Sequence, residues 1–223
     1  MPIDPRKRQK KLERRKGKQK AERKTLARRE SQGLPARLQQ ASAAPILHCC
    51  ANSAIWREGI GQLLVSRLLP NGHVAFAVFL VDMYCLGVKD AFTNIVPRGR
   101  YDRDLYGKLA DQGALIKMQP ECAYKLLKSA VEYANELGLR PHPDYRTAKL
   151  IFGDVAVEAC DEEYTFGKDG KPFFIAGPHD SQAKCQEVIR TLHHSCGPEG
   201  FHFLLPVEGA MSARHVPRPQ LPP

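Results

Sequence analysis

The sequence predicts one α+β domain, in which an antiparallel sheet of two hairpins packs against about three helices. Three observations support this fold class. Apolar runs of strand length occur in pairs separated by turn residues, and two longer segments repeat apolar residues at helical spacing. The chain has 223 residues, 43% of them hydrophobic, which suits a single domain with tails. We place this domain at residues 46–206, behind a tail and linker at 1–45 and before a Pro-rich, disordered segment at 207–223.

The first 31 residues, which we call the basic tail, carry the net charge of the chain. They hold 14 Lys and Arg against four acids, while the other residues balance at 20 of each sign, so the formal net charge of +10 belongs to the tail. Apolar side chains are too few there to bury a helix face. We therefore expect the isolated tail to be disordered or a frayed helix. A linker rich in Gly, Pro, Ala and Gln follows, from Gln32 to Pro45.

A hairpin is predicted near the start of the domain. The first strand is expected at Ile46–Ala51, and Trp56 lies in the turn region after it. Ile60–Leu69 is the next predicted strand, and Pro70-Asn71-Gly72 forms its turn, because Asn and Gly tolerate positive φ. The return strand, His73–Leu86, is apolar on both faces and should therefore lie centrally in the sheet.

Helical spacing of apolar residues marks the segments that follow the hairpin. Helices are predicted at Tyr101–Gln112 and at Pro120–Leu137. The second has the stronger signal, because Pro120 occupies its first turn and Gly138 follows its end. A short helix is expected at Tyr145–Phe152, after a Pro-rich turn.

The C-terminal part of the domain is predicted to add a second hairpin and another helix. Val155–Phe166 and Pro172–Ile175 form the expected strand pair. Asp180 stands where the N-cap of a helix should be, and that helix should run to about His194. Phe201–Pro206 is the last predicted strand.

The seven cysteines predict buried thiols rather than a disulfide framework. Their number is odd, and most lie within apolar patterns, which suits a reducing compartment. The charged N-terminus has no apolar core after it, unlike a signal peptide. No apolar run approaches the roughly 18 residues that would span a bilayer. Together these features predict a cytoplasmic protein.

The basic tail predicts nucleic-acid binding, with RNA or a ribosomal particle as the favoured partner. Dense Lys and Arg neutralise phosphates and release counterions, which gives salt-dependent binding without sequence preference. The tail has no aromatic residue, which argues against base stacking. It also has no lipid anchor or amphipathic face, so a membrane partner is not predicted. The predicted nucleic-acid-binding residues are Arg6, Lys7, Arg8, Lys10, Lys11, Arg14, Arg15, Lys16, Lys18, Lys20, Arg23, Lys24, Arg28 and Arg29.

Two other functions stay open. One is a protein-interaction module of unknown partner with a merely solubilising tail. The other is a metal-dependent phosphodiesterase or nuclease, because Asp82 interrupts an apolar strand, where a carboxylate must be hydrogen-bonded, paired or metal-bound. Pairing of Lys89 with Asp82 or Asp90 is the structural interpretation. The catalytic one has Asp82, Asp90, Asp154 and Asp180 converging on Mg²⁺, the one cofactor considered.

Histidines and cysteines supply the remaining candidates. His142 and Asp144 lie in a stiff Pro-rich turn, which either needs these residues for its geometry or presents them as a site. His48-Cys49-Cys50 and His193-His194-Ser195-Cys196 cluster soft ligands, but neither has the spacing of a zinc site. No zinc is therefore predicted. The chain also lacks the glycine-rich and nucleophile motifs of ATP, dinucleotide and serine-hydrolase sites.

Two segments carry a resemblance to known proteins: Val81-Asp82-Met83-Tyr84-Cys85-Leu86-Gly87-Val88-Lys89-Asp90 and Pro141-His142-Pro143-Asp144-Tyr145. They resemble a group of uncharacterised bacterial proteins, over roughly residues 46–205 and outside the tail. The resemblance implies a bacterial, cytosolic protein. It implies no activity and transfers no site residue.

Overall fold

The computed structural model describes residues 33–205. The basic tail and residues 206–223 lie outside this range, and so do the predictions of disorder made for them. The chain divides into two compact units, Met1–Arg37 and Leu38–Pro223. Residues 33–37 of the first unit are described, and they are helical. Apart from residues 33–37, the elements and sites described below belong to the second unit.

Helix α1 includes residues 33–41, where composition suggested a linker. Leu38 and Ala41 are buried, with 0% and 4% of their surface exposed. These positions are three apart and therefore share one face of a helix. The packed domain therefore begins earlier than the composition suggested. The sequence analysis missed this helix because two core positions give too little apolar periodicity within a segment rich in Gly, Pro and Gln.

An antiparallel sheet of five strands forms the centre of the domain and confirms the α+β class. Its strands are β1 (Ile46–Asn52), β2 (Ile60–Leu68), β3 (His73–Asp82), β4 (Gly87–Pro97) and β5 (Leu115–Lys117). Their spatial order is β4-β3-β2-β1-β5. The predicted β2–β3 hairpin is confirmed, with Leu68 opposite Val74 next to the Asn71-Gly72 turn. As its apolar faces predicted, β3 lies inside the sheet, between β2 and β4.

Strand β4 was missed by the sequence analysis, which continued β3 to Leu86. In the structure β3 ends at Asp82, and Gly87 starts β4 with a φ of 65°. A Cβ at Gly87 would lie 2.5 Å from the carbonyl oxygen of Ala130, so this turn packs directly on a helix. Polar residues interrupt β4, and because one edge of the strand is unpaired in the sheet, no strict alternation reveals it.

The second predicted hairpin is wrong. Val155–Phe166 contains a 3₁₀ turn at Val157–Ala159 but no strand. Strand β6 (Phe173–Ile175) pairs instead with β7 (His202–Leu204), in parallel. The second hairpin of the domain is β3–β4. Partners in a parallel pair lie far apart in the chain, so local patterning gives no sign of them.

The described helices cover both faces of the sheet. They are α2 (Ala54–Glu58), α3 (Arg98–Tyr101), α4 (Gly107–Asp111), α5 (Pro120–Glu136), α6 (Tyr145–Ala148) and α7 (Gln182–Cys196), with a π-helical turn at Asp102–Tyr106 and a 3₁₀ turn at Lys149–Phe152. On one face Phe76 packs with Tyr101 and Leu105. On the other, Phe79 meets Tyr145 and Phe152, each at 6.1 Å between ring centroids. None of the helices described is long and apolar enough to cross a membrane.

Arg67 of β2 is a buried cation that fastens two loops to the sheet. Its guanidinium donates to the carbonyl oxygens of Ala44, Ile151 and Phe152 at 2.6, 2.7 and 2.8 Å. A buried charge is costly unless its donors are satisfied. The three carbonyl oxygens accept hydrogen bonds from the guanidinium, so Arg67 can remain charged while it links two loops to the sheet.

One cysteine pair departs from the predicted chemistry. Cys122 and Cys160 form a disulfide between residues 38 positions apart, whereas Cys49, Cys50, Cys85 and Cys185 are buried free thiols and Cys196 is a partly exposed one. The prediction of thiols is therefore wrong for this pair. Cys160 follows a 3₁₀ turn in an otherwise irregular segment, so nothing in the local sequence places it beside α5.

Candidate functional site

His48 lies at the middle of β1 and belongs to a closed hydrogen-bonded network. Its ring Nδ1 is 2.8 Å from the hydroxyl of Tyr101, which is 2.9 Å from the hydroxyl of Ser66. The backbone N–H of His48 donates to Ser66 Oγ at 3.1 Å. Tyr101 and Ser66 are both fully buried, so these groups orient the imidazole and are themselves closed to a ligand.

The short contacts of this network engage Nδ1 of the ring. Either partner can be the donor in the His48–Tyr101 and Tyr101–Ser66 contacts, and Ser66 Oγ also lies 3.4 Å from the carbonyl oxygen of His48, to which it can donate. Burial, and then the positive charge of Arg98, lower the pKa of His48. Burial also raises the pKa of Tyr101, which keeps its hydroxyl protonated. Near neutral pH, His48 is therefore an uncharged ring whose Nδ1 is engaged within the protein.

A π-helical turn brings a second tyrosine onto the same ring. Tyr106 stacks on His48 with ring centroids 4.1 Å apart and planes inclined by 18°. In an α-helix, side chains five positions apart point about 140° away from each other. Here the N–H of Gly107 donates to the carbonyl of Asp102, five residues earlier. This wider turn puts Tyr101 and Tyr106 on one side, and π-turns of this kind often occur at functional sites.

A cavity of about 370 Å³ opens beside this stack. We call it the His48 cavity. Its polar side chains come from His48, Lys117 and Gln119, and Tyr106 adds an aromatic ring. Its other lining residues are Ile46, Leu47, Cys49, Cys50, Leu115, Met118 and Pro120. The cavity thus exposes polar and apolar surface together, and its volume lies in the range of small-ligand sites.

The sequence analysis noticed His48 for a different reason, as a neighbour of Cys49 and Cys50. Burial raises the pKa of Cys49 to about 12 and that of Cys50 to about 11, so both thiols are protonated near neutral pH. The network and the cavity were missed because Tyr101 and Tyr106 are far from His48 in the chain. Their spacing of five, unusual for one helix face, gave no usable signal.

Asp82 is the buried carboxylate that the sequence singled out. It is 3% exposed, and its Oδ1 accepts hydrogen bonds from the backbone N–H groups of Tyr84 and Cys85 at 2.9 and 3.0 Å. Burial raises the pKa of Asp82 to about 6, against the opposing effects of Lys89 and of the backbone N–H groups. Asp82 therefore shapes the turn between β3 and β4.

Lys89 forms an ion pair with Asp180, an acid that the sequence analysis did not expect as its partner. Its ammonium lies 2.8 Å from Asp180 Oδ2, and both side chains are nearly buried, at 11% and 7% exposure. Burial favours the neutral acid, but hydrogen bonds from Lys89, Lys184 and the N–H of Gly177 hold the pKa of Asp180 at about 2. The predicted pairing failed because Asp180 is distant in sequence.

The N-cap of α7 is displaced by one residue from the prediction. Ser181 Oγ accepts the N–H of Lys184, as an N-cap does. Asp180 instead accepts the N–H of Gly177 at 2.7 Å and pairs with two lysines. Both residue types are good caps, so sequence alone did not separate them.

The other candidate residues lie on the surface. His142 Nε2 is 3.6 Å from Asp90 Oδ1, and its Nδ1 is 3.9 Å from Asp144 Oδ2. Asp154 is exposed after the 3₁₀ turn that ends at Phe152. Within residues 33–205, no three His, Cys, Asp or Glu side chains group as metal ligands. The four aspartates considered for Mg²⁺ are thus not gathered into one site.

An exposed apolar stretch bears on the protein-interaction alternative. Phe203, Leu204 and Leu205 are 50%, 58% and 38% exposed. Within the described sheet topology, β7 pairs on one edge only, with β6. The 14 basic residues of the predicted nucleic-acid interface lie outside the described residues.

Comparisons with known proteins return no match: no family model fits the chain, and no curated protein or solved structure is significantly similar to it. The resemblance to a bacterial group stays a prediction.

Proposed function

We propose that the protein binds RNA, free or within a ribosomal particle, through its basic tail. The observation that carries this proposal is the separation of charge along the chain. The tail has 14 Lys and Arg against four acids, whereas residues 33–205 have 18 against 19. Phosphate binding by counterion release needs a local excess of cations, and in this chain the tail is where that excess lies.

The domain contributes differently from the tail. Its charges nearly cancel, so it has no general attraction for a polyanion. It offers instead a fixed fold with an oriented histidine and a cavity. We infer that the tail supplies affinity and that the domain supplies selectivity for a particular RNA or particle.

The test is RNA binding by fluorescence anisotropy with the full-length protein across a salt series. A tail variant replaces Arg6, Lys7, Arg8, Lys10 and Lys11 by Gln. The matched control replaces five exposed domain residues by Gln: Arg57, Arg103, Lys108, Arg140 and Arg146. Each lost phosphate contact reduces the slope of log K against log salt by about 0.7, so the tail variant should lose up to about 3.5.

The control should keep both the affinity and the slope of the unmodified protein. If the tail variant binds as tightly as the original chain, the tail is not the RNA-binding element. Equal losses in both variants would mean a general electrostatic attraction spread over the whole protein.

A further inference from the structure

The His48 cavity has chemistry suited to one nucleotide. It combines a neutral imidazole, an aromatic side chain, an amide at Gln119 and an ammonium at Lys117. A nucleobase needs a flat apolar surface and a few hydrogen-bonding groups at its edge, and its phosphate needs a cation. These requirements match the lining groups without any rearrangement of the network.

We propose that the His48 cavity binds one nucleotide of single-stranded RNA, with its base beside the Tyr106–His48 stack and its phosphate near Lys117. This inference rests on the proposed RNA-binding function. It also supplies what the tail lacks, because the tail has no aromatic residue to stack a base.

The orientation of His48 decides which edge of a base it can meet. Tyr101 occupies Nδ1, and Nε2 has no hydrogen-bond partner among the residues described. Nε2 is therefore the ring nitrogen available to a ligand, and it can form a hydrogen bond with the edge of a base. Gln119 is exposed at the same cavity, and its amide both donates and accepts.

The π-turn fixes the Tyr106 and His48 rings in position before a ligand binds. Tyr106 reaches His48 because the wider turn brings it to the side of Tyr101. The His48 ring is thereby fixed twice, by a hydrogen bond with Tyr101 and by stacking on Tyr106. A preorganised aromatic pair loses little conformational entropy on binding a base.

The first experiment titrates the full-length protein with uridine or adenosine monophosphate, and separately with inorganic phosphate, by isothermal titration calorimetry. A nucleoside monophosphate should bind with a saturable isotherm, and inorganic phosphate should not compete with it. Tyr106→Leu should weaken nucleotide binding about tenfold, which is the loss expected for one base–aromatic stack. Tyr106→Phe keeps the ring and should retain the original affinity.

Trp56→Leu is the matched control, because Trp56 is 43% exposed and does not line the cavity. It should leave nucleotide binding unchanged. An equal loss in Trp56→Leu and Tyr106→Leu overturns the proposal. Lys117→Gln replaces an exposed side chain and should weaken uridine monophosphate without affecting uridine, which keeps the proposal testable should Tyr106→Leu fail to fold. Equal binding of uridine monophosphate by Lys117→Gln and the original protein also overturns it.

The second experiment compares single-stranded RNA with duplex RNA of equal charge. Tyr106→Leu should weaken the single strand about tenfold and leave the duplex unchanged, because paired bases cannot enter the cavity. If it weakens only the free nucleotide, the cavity serves a small molecule and the RNA assignment is wrong. If nucleotides do not bind while the tail variant still loses RNA affinity, the cavity inference fails and the proposed function stands.

Discussion

The central sheet and the segment of residues 153–180 are held in place by different kinds of interaction. Strands β2, β3 and β4 share continuous ladders of backbone hydrogen bonds. The segment, which we call the tethered segment, has little regular structure. It is held by single backbone hydrogen bonds, such as that from Gly167 N–H to the carbonyl of Met83, and by side-chain ties. Its ties are the Cys122–Cys160 disulfide, the Lys89–Asp180 ion pair and the stacking of Tyr133 on Phe166.

This difference determines how each region should respond to substitution. In the sheet the backbone hydrogen bonds form continuous ladders, so the loss of one of them removes a small part of the stabilisation. In the tethered segment each tie is individually important. Lys125 Nζ adds a hydrogen bond to the carbonyl of Cys160 at 2.8 Å, and Tyr164 adds one to the carbonyl of Cys122 at 3.1 Å, both close to the disulfide.

The largest effect is expected for Lys89→Met. This change leaves Asp180 buried without its nearest cation, which should lower the free energy of unfolding by about 3–5 kcal/mol. Lys184→Met is the control, because Lys184 contacts the same carboxylate but its side chain is half exposed. It should cost at most about 1 kcal/mol. The free energies of unfolding of both variants are measured by urea denaturation. Equal losses would contradict the view that the buried ion pair is worth more than the half-exposed one.

The next effect concerns the disulfide. The double variant Cys122→Ser/Cys160→Ser should lose about 2–4 kcal/mol, because the unfolded chain is no longer constrained by the cross-link. Amide hydrogen exchange should accelerate in the tethered segment and remain slow in β3. Cys196→Ser, which removes a free thiol, is the control. Faster hydrogen exchange over the whole domain would show that the disulfide stabilises the entire fold and not the tethered segment alone.

These two regions also explain what the sequence could predict. The β2–β3 hairpin and α5 were predicted because their signals are local: a turn between apolar runs, and apolar residues at helical spacing. The tethered segment was mispredicted because Cys160 and Asp180 find their partners far away in the chain. The same reason hid the His48 cavity, whose network joins β1, β2 and the π-turn.

A third prediction concerns pH and the buried end of β3. The folded state raises the pKa of Asp82 from 3.8 to about 6. Between these values the folded protein keeps the proton that the unfolded chain has released, so this residue lowers stability as pH rises, by up to about 1.4 kcal/mol per pH unit. Asp82→Asn, whose Oδ1 can accept the same bonds, should remove this slope in urea titrations.

Asp180 has the opposite sign and a separate window. Its pKa is lowered from 3.8 to about 2, so the stability that it contributes is present above 3.8 and is lost as pH falls towards 2. Asp82→Asn should therefore leave the acid limb below pH 3.8 in place. Asp111→Asn, an exposed aspartate, serves as the control. A slope between pH 4 and 6 that survives Asp82→Asn would refute the assignment.

The smallest effect is expected at the start of α7. Ser181→Ala removes the hydroxyl that accepts the N–H of Lys184 and should cost about 1 kcal/mol, as other N-cap losses do. Asp180→Ala should cost more, because it also leaves Lys89 unpaired. Thermal unfolding of the two variants ranks them, and an unchanged stability of Ser181→Ala would contradict the N-cap role of Ser181.

The π-turn between the two tyrosines affects how the chain tolerates changes in length. Positions five apart in this turn correspond to positions four apart in an ordinary helix, which also share a face. Deleting one residue between Tyr101 and Tyr106 would thus regularise the helix and keep both rings beside His48. Straightening the helix at constant length would instead turn one ring away by about 100°. A one-residue deletion should therefore preserve the contacts of both tyrosines with His48, whereas a regular helix of unchanged length should disrupt them.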